Sequence, residues 1–279
     1  MPHPAHLDSP LLAGVDFSCN PSRRKPVTVA LGHLSGSVLK LAALDAHATL
    51  DAFSAWLATP GPWLGAFDFP FGLPRPFVQA HALGASCEQV VRAVHARCAT
   101  RMQWRRFIDD WGNTRPPGQR LLHRRTDTAA PGASSTSPLQ TRYVPVGFMY
   151  YEGVARLVDA DVTLPQMRAG DPGRVAVEGY PGLLAHELIG RRSYTNKDEP
   201  DRLIARKEIL DALEQGRSRL GLRIRLSHAQ RDHLIADASG DRLDALLCLV
   251  QAAWASTRPG YGLPAGIDPL EGWIVSAPA

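Results

Sequence analysis

Residues 11–18, LLAGVDFS, constrain this chain most: five residues that are apolar or glycine run into a single acid, Asp16. A buried strand reads this way when it delivers a carboxylate to its carboxyl end. Open α/β sheets bind ligands just beyond those ends, so Asp16 stands where chemistry is usually done. A strand-end Asp also serves simply to cap the next turn, and repetition is what adds weight to the first reading. Residues 63–68 (WLGAFD) close on Asp68 and are followed by Phe69, Pro70, Phe71 and Gly72, which cannot continue a central strand. Residues 174–178 (RVAVE) close on Glu178, and Gly179, Tyr180, Pro181 and Gly182 then turn the chain into a helix. Three such strands in one sheet would place three carboxylates on one edge. Like charges held that close repel unless a cation sits among them.

The segments around these strands suggest their connections. Residues 27–34 and 37–44 read as two strands around Ser35 and Gly36, an antiparallel meander continuing from the first. Residues 49–59 form a helix with Thr49 at its N-cap and Phe53, Trp56 and Leu57 at core spacing; Pro60, Gly61 and Pro62 end it. A helical crossover predicts that the strand at 63–68 lies parallel to the first. From about 74 to 172 the rhythm breaks into an insertion, helical over 86–111 and loop-rich over 116–145, with a low-complexity piece, TAAPGASSTSP.

Charge is informative in its distribution. The formal net charge is only +4, but the lysines are few (Lys25, Lys40, Lys197 and Lys207) and the remaining positive charge is Arg, the better phosphate fork. Residues 92–125 hold nine Arg against two acids, Asp109 and Asp110, with Trp104, Phe107 and Trp111 interleaved. Arg101, Arg105, Arg124 and Arg125 are candidate substrate contacts here, since basic residues alternating with aromatics suit a nucleic-acid backbone and its bases. An amphipathic helix with its aromatics in the core gives the same pattern. Residues 217–231 add five Arg and no acid, either a second phosphate-facing surface or a solvated run. Lys197 is a further candidate phosphate contact, or a surface residue.

The four cysteines form no CxxC pair, and no His stands at zinc-finger spacing, which argues against a structural zinc site. No cleavable leader is expected in MPHPAHLDSP, and the apolar stretch 243–255 is too short to span a bilayer. The expectation is a cytoplasmic protein without membrane association.

The last informative helix, residues 239–256, carries Asp241 and Asp244 three apart on one face, with Leu243, Leu246, Leu247, Val250 and Trp254 placed for burial. Asp244, between Leu243 and Ala245, is hard to explain structurally, because burying an acid is costly without a partner. Asp241 reads equally as an N-cap or as a ligand.

GVDFS, FDFPFG, VEGYPG, the DRLDAL helix and a closing EGWI, in this order and spacing, resemble a bacterial family of unknown function predicted to be ribonuclease-H-like nucleases. The resemblance runs from Leu11 to Ile274 and is weakest across the insertion. It implies an α/β fold: one domain over 1–279, a mixed five-stranded sheet flanked by helices, and the insertion between its fourth and fifth strands. It also implies catalytic and metal-binding roles for Asp16, Asp68, Asp244 and Asp241. Glu178 matches the family's own pattern, as a further catalytic ligand or as a group that orients one.

Hard carboxylate oxygens without supporting His or Cys suit Mg²⁺ or Mn²⁺. Such ions can activate a water and stabilise a leaving oxygen. The resulting expectation is a metal-dependent phosphodiester hydrolase acting on DNA or RNA, structured or single-stranded. Two other classes fit less well. An actin-like or sugar-kinase-type phosphotransferase needs glycines in its phosphate loop, whereas Asp16 is followed by Phe17, Ser18, Cys19 and Asn20. A non-catalytic nucleic-acid-binding module on a degenerate nuclease fold has no reason to keep every acid.

Overall fold

The computed structural model describes residues 10–130 and 135–279. The stretch read for a leader lies, but for its last residue, outside the described residues, as does the 131–134 portion of the low-complexity piece. Strands β1 (Leu11–Asp16), β2 (Val27–Ser35) and β3 (Val38–His47) form the expected antiparallel meander. Helix α1 (Leu50–Leu57) follows, its first turn capped by the Thr49 hydroxyl, which accepts from the Ala52 N–H at 3.1 Å. Strand β4 (Trp63–Phe67) then returns parallel to β1.

The insertion contains α2 (Arg75–Ala80), α3 (Cys87–Arg97), α4 (Arg101–Asn113), α5 (Val146–Asp159) and the short β5 (Val162–Thr163). The single helix expected over 86–111 is two helices. Thr100 starts α4 with a reciprocal capping box to Gln103, so the chain stops and restarts between Cys98 and Thr100. Strand β6 (Asp171–Glu178) lies parallel to β4, and α6 (Pro181–Ile189), α7 (Pro200–Glu214), β7 (Arg223–Arg225), α8 (His228–Ala236) and α9 (Asp241–Ser256) complete the chain.

Among the described residues the sheet has seven strands rather than five, in the order β5-β6-β4-β1-β2-β3-β7. The two extra strands are edges of two and three residues, too short to carry a readable two-residue period, and β7 is hidden in the Arg-rich 217–231 run. Of the five long strands, only β2 runs antiparallel to the rest.

Strand parity assigns each side chain a face. On β1, β4 and β6 the residues Ala13, Val15, Trp63, Phe67 and Ala176 join the core under α1 and the insertion helices. Leu12, Leu64, Ala66, Val175 and Val177 join the opposite core, under α6, α7 and α9. Helix α9 lies directly on β1. A Cβ on Gly14 would sit 2.0 Å from the Leu249 nitrogen and 2.1 Å from the Ala245 oxygen, so only glycine permits this approach.

Candidate functional site

The close approach at Gly14 sets the site. Asp16 is two residues on from Gly14 and so lies on the α9 face, as does Asp68, which follows Phe67 and whose N–H donates to the Val15 carbonyl at 2.9 Å. The first turn of α9 brings Asp241 and Asp244 to the same edge. Four of the five predicted acids are thereby gathered on one face of one edge.

Their electrostatics reflect that gathering. Asp16 is 8% exposed, and its carboxyl is held well above the ordinary carboxylate range by burial first, then by Asp244, Asp241 and Asp68, with Lys25 pulling the other way. Burial also raises Asp68 well above that range, with Asp244 and then Glu178 adding to it. Asp244 is pushed up to about 7 by burial, against a hydrogen bond from the Tyr194 hydroxyl at 2.5 Å that favours its charged form. Burial raises Asp241 as well.

The choice between cap and ligand at Asp241 is decided by its neighbours. Gly240, at φ 85°, is the N-cap residue of α9. The Asp237 carboxylate accepts from the Arg242 N–H at 3.0 Å, and the Ser239 hydroxyl accepts from the Asp241 N–H at 3.2 Å. Asp241 therefore does not cap its own helix.

Glu178 stands apart. In register it pairs with Phe67, so it points to the insertion face. There it meets a cation from its own chain: Arg124 donates to its two oxygens at 2.6 and 2.8 Å, and to Asp127 at 2.7 Å. The Phe71 N–H also donates to Glu178 at 2.9 Å, tying the loop after β4 to β6. Burial raises the Glu178 carboxyl while Arg124 pulls it down, and the two-pronged geometry is that of a charged pair.

Arg124 is thus 2% exposed and internal, not a surface phosphate contact. Arg101 donates to the Cys19 carbonyl at 2.8 Å and to Asn20, bracing the loop beyond Asp16. Arg105 donates to the Thr141 carbonyl and lies over the Phe148 ring, 4.9 Å from its centre. Arg125 is exposed, over Trp273. Lys197 is an exposed residue paired with Glu199 at 3.2 Å. Of the interleaved aromatics, Trp104 and Trp111 are buried and Phe107 packs against them, so α4 is an amphipathic helix facing the core. Within the later Arg run, Arg219 pairs with Glu187 and Arg231 with Asp211 and Glu214.

Sequence reasoning passed over three contributors. Tyr194 reaches Asp244 from the loop after α6, which nothing local signals. Asp237 caps α9 in a DxSG pattern that is visible in retrospect. Arg23, Arg24 and Lys25 form an exposed basic turn between β1 and β2, and Asp16 lies opposite Thr28, so this turn stands at the acidic edge. A basic run immediately after an acid-tipped strand was the available signal.

Among the described residues, no three His, Cys, Asp or Glu side chains form a ready metal-binding group. The donors do fit a hard cation in kind. Among the described residues, the carboxylates of Asp16 and Asp68 accept no hydrogen bond and form no ion pair, in contrast to those of Glu178, Asp127 and Asp237. No helix is long and apolar enough to cross a membrane among the described residues.

Fold and edge together define a mixed α/β protein with a buried carboxylate cluster at the carboxyl ends of its central strands. Residues 14–267 match the family described as "Protein of unknown function (DUF429)", and the chain belongs to that family. Comparison with curated proteins and with solved structures gave no significant match.

Proposed function

We propose that this chain is a metal-dependent phosphodiester hydrolase acting on nucleic acid, on a ribonuclease-H-like sheet. The observation that carries the reading is the convergence of Asp16, Asp68 and Asp244, with Asp241, on the α9 face of one edge, where burial and mutual repulsion raise their carboxyls. The five long strands support it: an Asp ends the first, an Asp follows the fourth, and two open the last long helix.

Asp16, Asp68 and Asp244 would hold Mg²⁺ or Mn²⁺, with Asp241 beside them. The chemistry a bound cation supplies is activation of water and neutralisation of charge on the phosphate. The chain's own groups do the rest. Tyr194 fixes the Asp244 carboxylate through its hydroxyl, and Asp237 and Ser239 fix the start of α9. Arg23, Arg24 and Lys25 stand where they can grip the phosphates flanking the bond to be cut. Glu178 and Arg124 brace the loop after β4 and so position Asp68.

The test is cleavage of single-stranded and duplex DNA and RNA, with Mn²⁺ or Mg²⁺ against a chelator, by the wild type and Asp16→Asn. Metal-dependent cleavage lost in the variant is the expected result. Nucleic-acid binding without cleavage in any metal would favour a binding module instead.

A further inference from the structure

The acidic edge opens into a cavity of ≈ 240 Å³ on the insertion side. Asp68 belongs to both, lining the cavity while facing the carboxylate cluster. One side of the wall is apolar, with Phe69 and Pro70 from the loop after β4, Val144, Val146 and Met149 from the insertion and Ile274 from the chain's last segment, while Ser135, Thr136 and Tyr180 add polar groups. At the inner end lies the closed Arg124–Glu178 pair.

We propose that this cavity receives one unstacked nucleobase of the substrate, next to the phosphate that is cut, so that the preferred substrate is a single strand or a frayed end rather than continuous duplex. The inference rests on the hydrolase reading above and names its substrate class.

Size and polarity select the occupant. At ≈ 240 Å³ the cavity falls below the roughly 300–1,000 Å³ of ordinary small-molecule sites, enough for a flat heterocycle and not for a whole nucleotide. Its apolar wall suits the face of a base. A phosphate is disfavoured there, because Asp68 and Glu178 are acidic and the Arg124 guanidinium is already engaged by Glu178, Asp127 and the Glu271 carbonyl. The wall carries a second signal: Val144 is 52% exposed, and its neighbour along the chain, Tyr143, is 92% exposed, an aromatic ring left in water. An exposed ring next to an apolar slot is how single strands are held, since every base has a face that stacks. A paired base inside a duplex presents no such face without being flipped out.

The test uses the full chain with Ca²⁺ and short oligonucleotides carrying 2-aminopurine, as single strand and as duplex. Tyr143→Ala and Val144→Asp alter an exposed wall residue and its exposed neighbour along the chain, so the fold is expected to survive, as circular dichroism will show. The expected result is tighter binding of the single strand than of the duplex, a change in 2-aminopurine fluorescence on binding, and a loss of about tenfold in single-strand affinity in each variant. Mn²⁺ binding, followed by electron paramagnetic resonance, should be unchanged in both variants. Equal affinity for single strand and duplex, with no effect of either substitution, would overturn the base pocket while leaving metal-dependent hydrolysis intact. Absence of both Mn²⁺ binding and nucleic-acid binding would overturn the hydrolase reading and the pocket with it.

Discussion

Glu178 is the acid for which the structure makes the sharpest quantitative demand. If it braces the fold through Arg124, then Glu178→Gln removes one charge of a buried pair but leaves Arg124 bound to Asp127 at 2.7 Å and to the Glu271 carbonyl at 2.9 Å. The loss is that of a charge-assisted hydrogen bond, about 1.5–3 kcal/mol. Arg124→Met is more severe, because it leaves Glu178 and Asp127 buried without a cation. Breaking a buried pair from one side costs roughly 3–5 kcal/mol, a large part of the ~5–15 kcal/mol that holds a domain together. Combining the two substitutions leaves only Asp127 uncompensated, so the double variant should recover about 1–3 kcal/mol relative to the sum of the single changes. Urea unfolding at neutral pH with a chelator measures all three. Arg124→Met should also be most stable in acid: burial raises the Glu178 carboxyl and the variant loses the Arg124 cation that pulls it down, so its contribution is full below the unfolded pKa and fades as pH rises. The reasoning is refuted if metal-free Glu178→Gln is as stable as the wild type and instead loses Mn²⁺ affinity, for Glu178 would then be a ligand and not a brace.

Three further outcomes follow from the site and the core. Asp244→Asn should lower Mn²⁺ affinity and leave metal-free stability unchanged or raised. Since burial lifts the Asp244 carboxyl from 3.8 to about 7, the metal-free wild type should lose melting temperature as pH rises through that range, and the Asn variant should show a shallower decline. Neutralising Arg23 and Arg24 together should reduce the slope of log affinity against log salt by roughly 1.4–1.8, two phosphate contacts' worth, whereas neutralising Arg105 should not. Gly14→Ala should fail to give soluble folded protein, because its Cβ would meet the α9 backbone at 2.0 Å; normal expression and melting would contradict the packing of α9 on β1.

Much of the fold was legible because its signals are local. The acid-tipped strands, the Thr49 cap and the periodicity of the last helix are each written within a few residues. The strand edges β5 and β7 were not, since two or three residues carry no period. The face each acid occupies was also hidden. WLGAFD and RVAVE both end in an acid, but β4 and β6 are covered on both faces and so show no polar alternation from which to read parity. Register decides it: Glu178 lies opposite Phe67, one place short of Asp68, and a one-residue offset turns a side chain to the other face.

That offset divides a single acidic edge into two chemistries. On the insertion face the chain supplies its own cation, so Glu178 and Arg124 form a closed unit whose bonds are already made. Sequence could not reveal this, because a cluster of nine Arg reads as surface charge, and a fully buried guanidinium is the rare outcome. On the α9 face Lys25 acts on Asp16, Asp241 and Asp244, joined at Asp241 by Arg242, but Lys25 is exposed, in a turn, and the two are too weak to offset the burial of these acids. The carboxyls there stay raised, which is the condition of acids lacking a sufficient counter-charge. A group of oxygens in that state gains more from a divalent cation than the Arg124-bound pair could, and this asymmetry is the physical reason to seek the metal on the α9 face of the edge and the brace on the other.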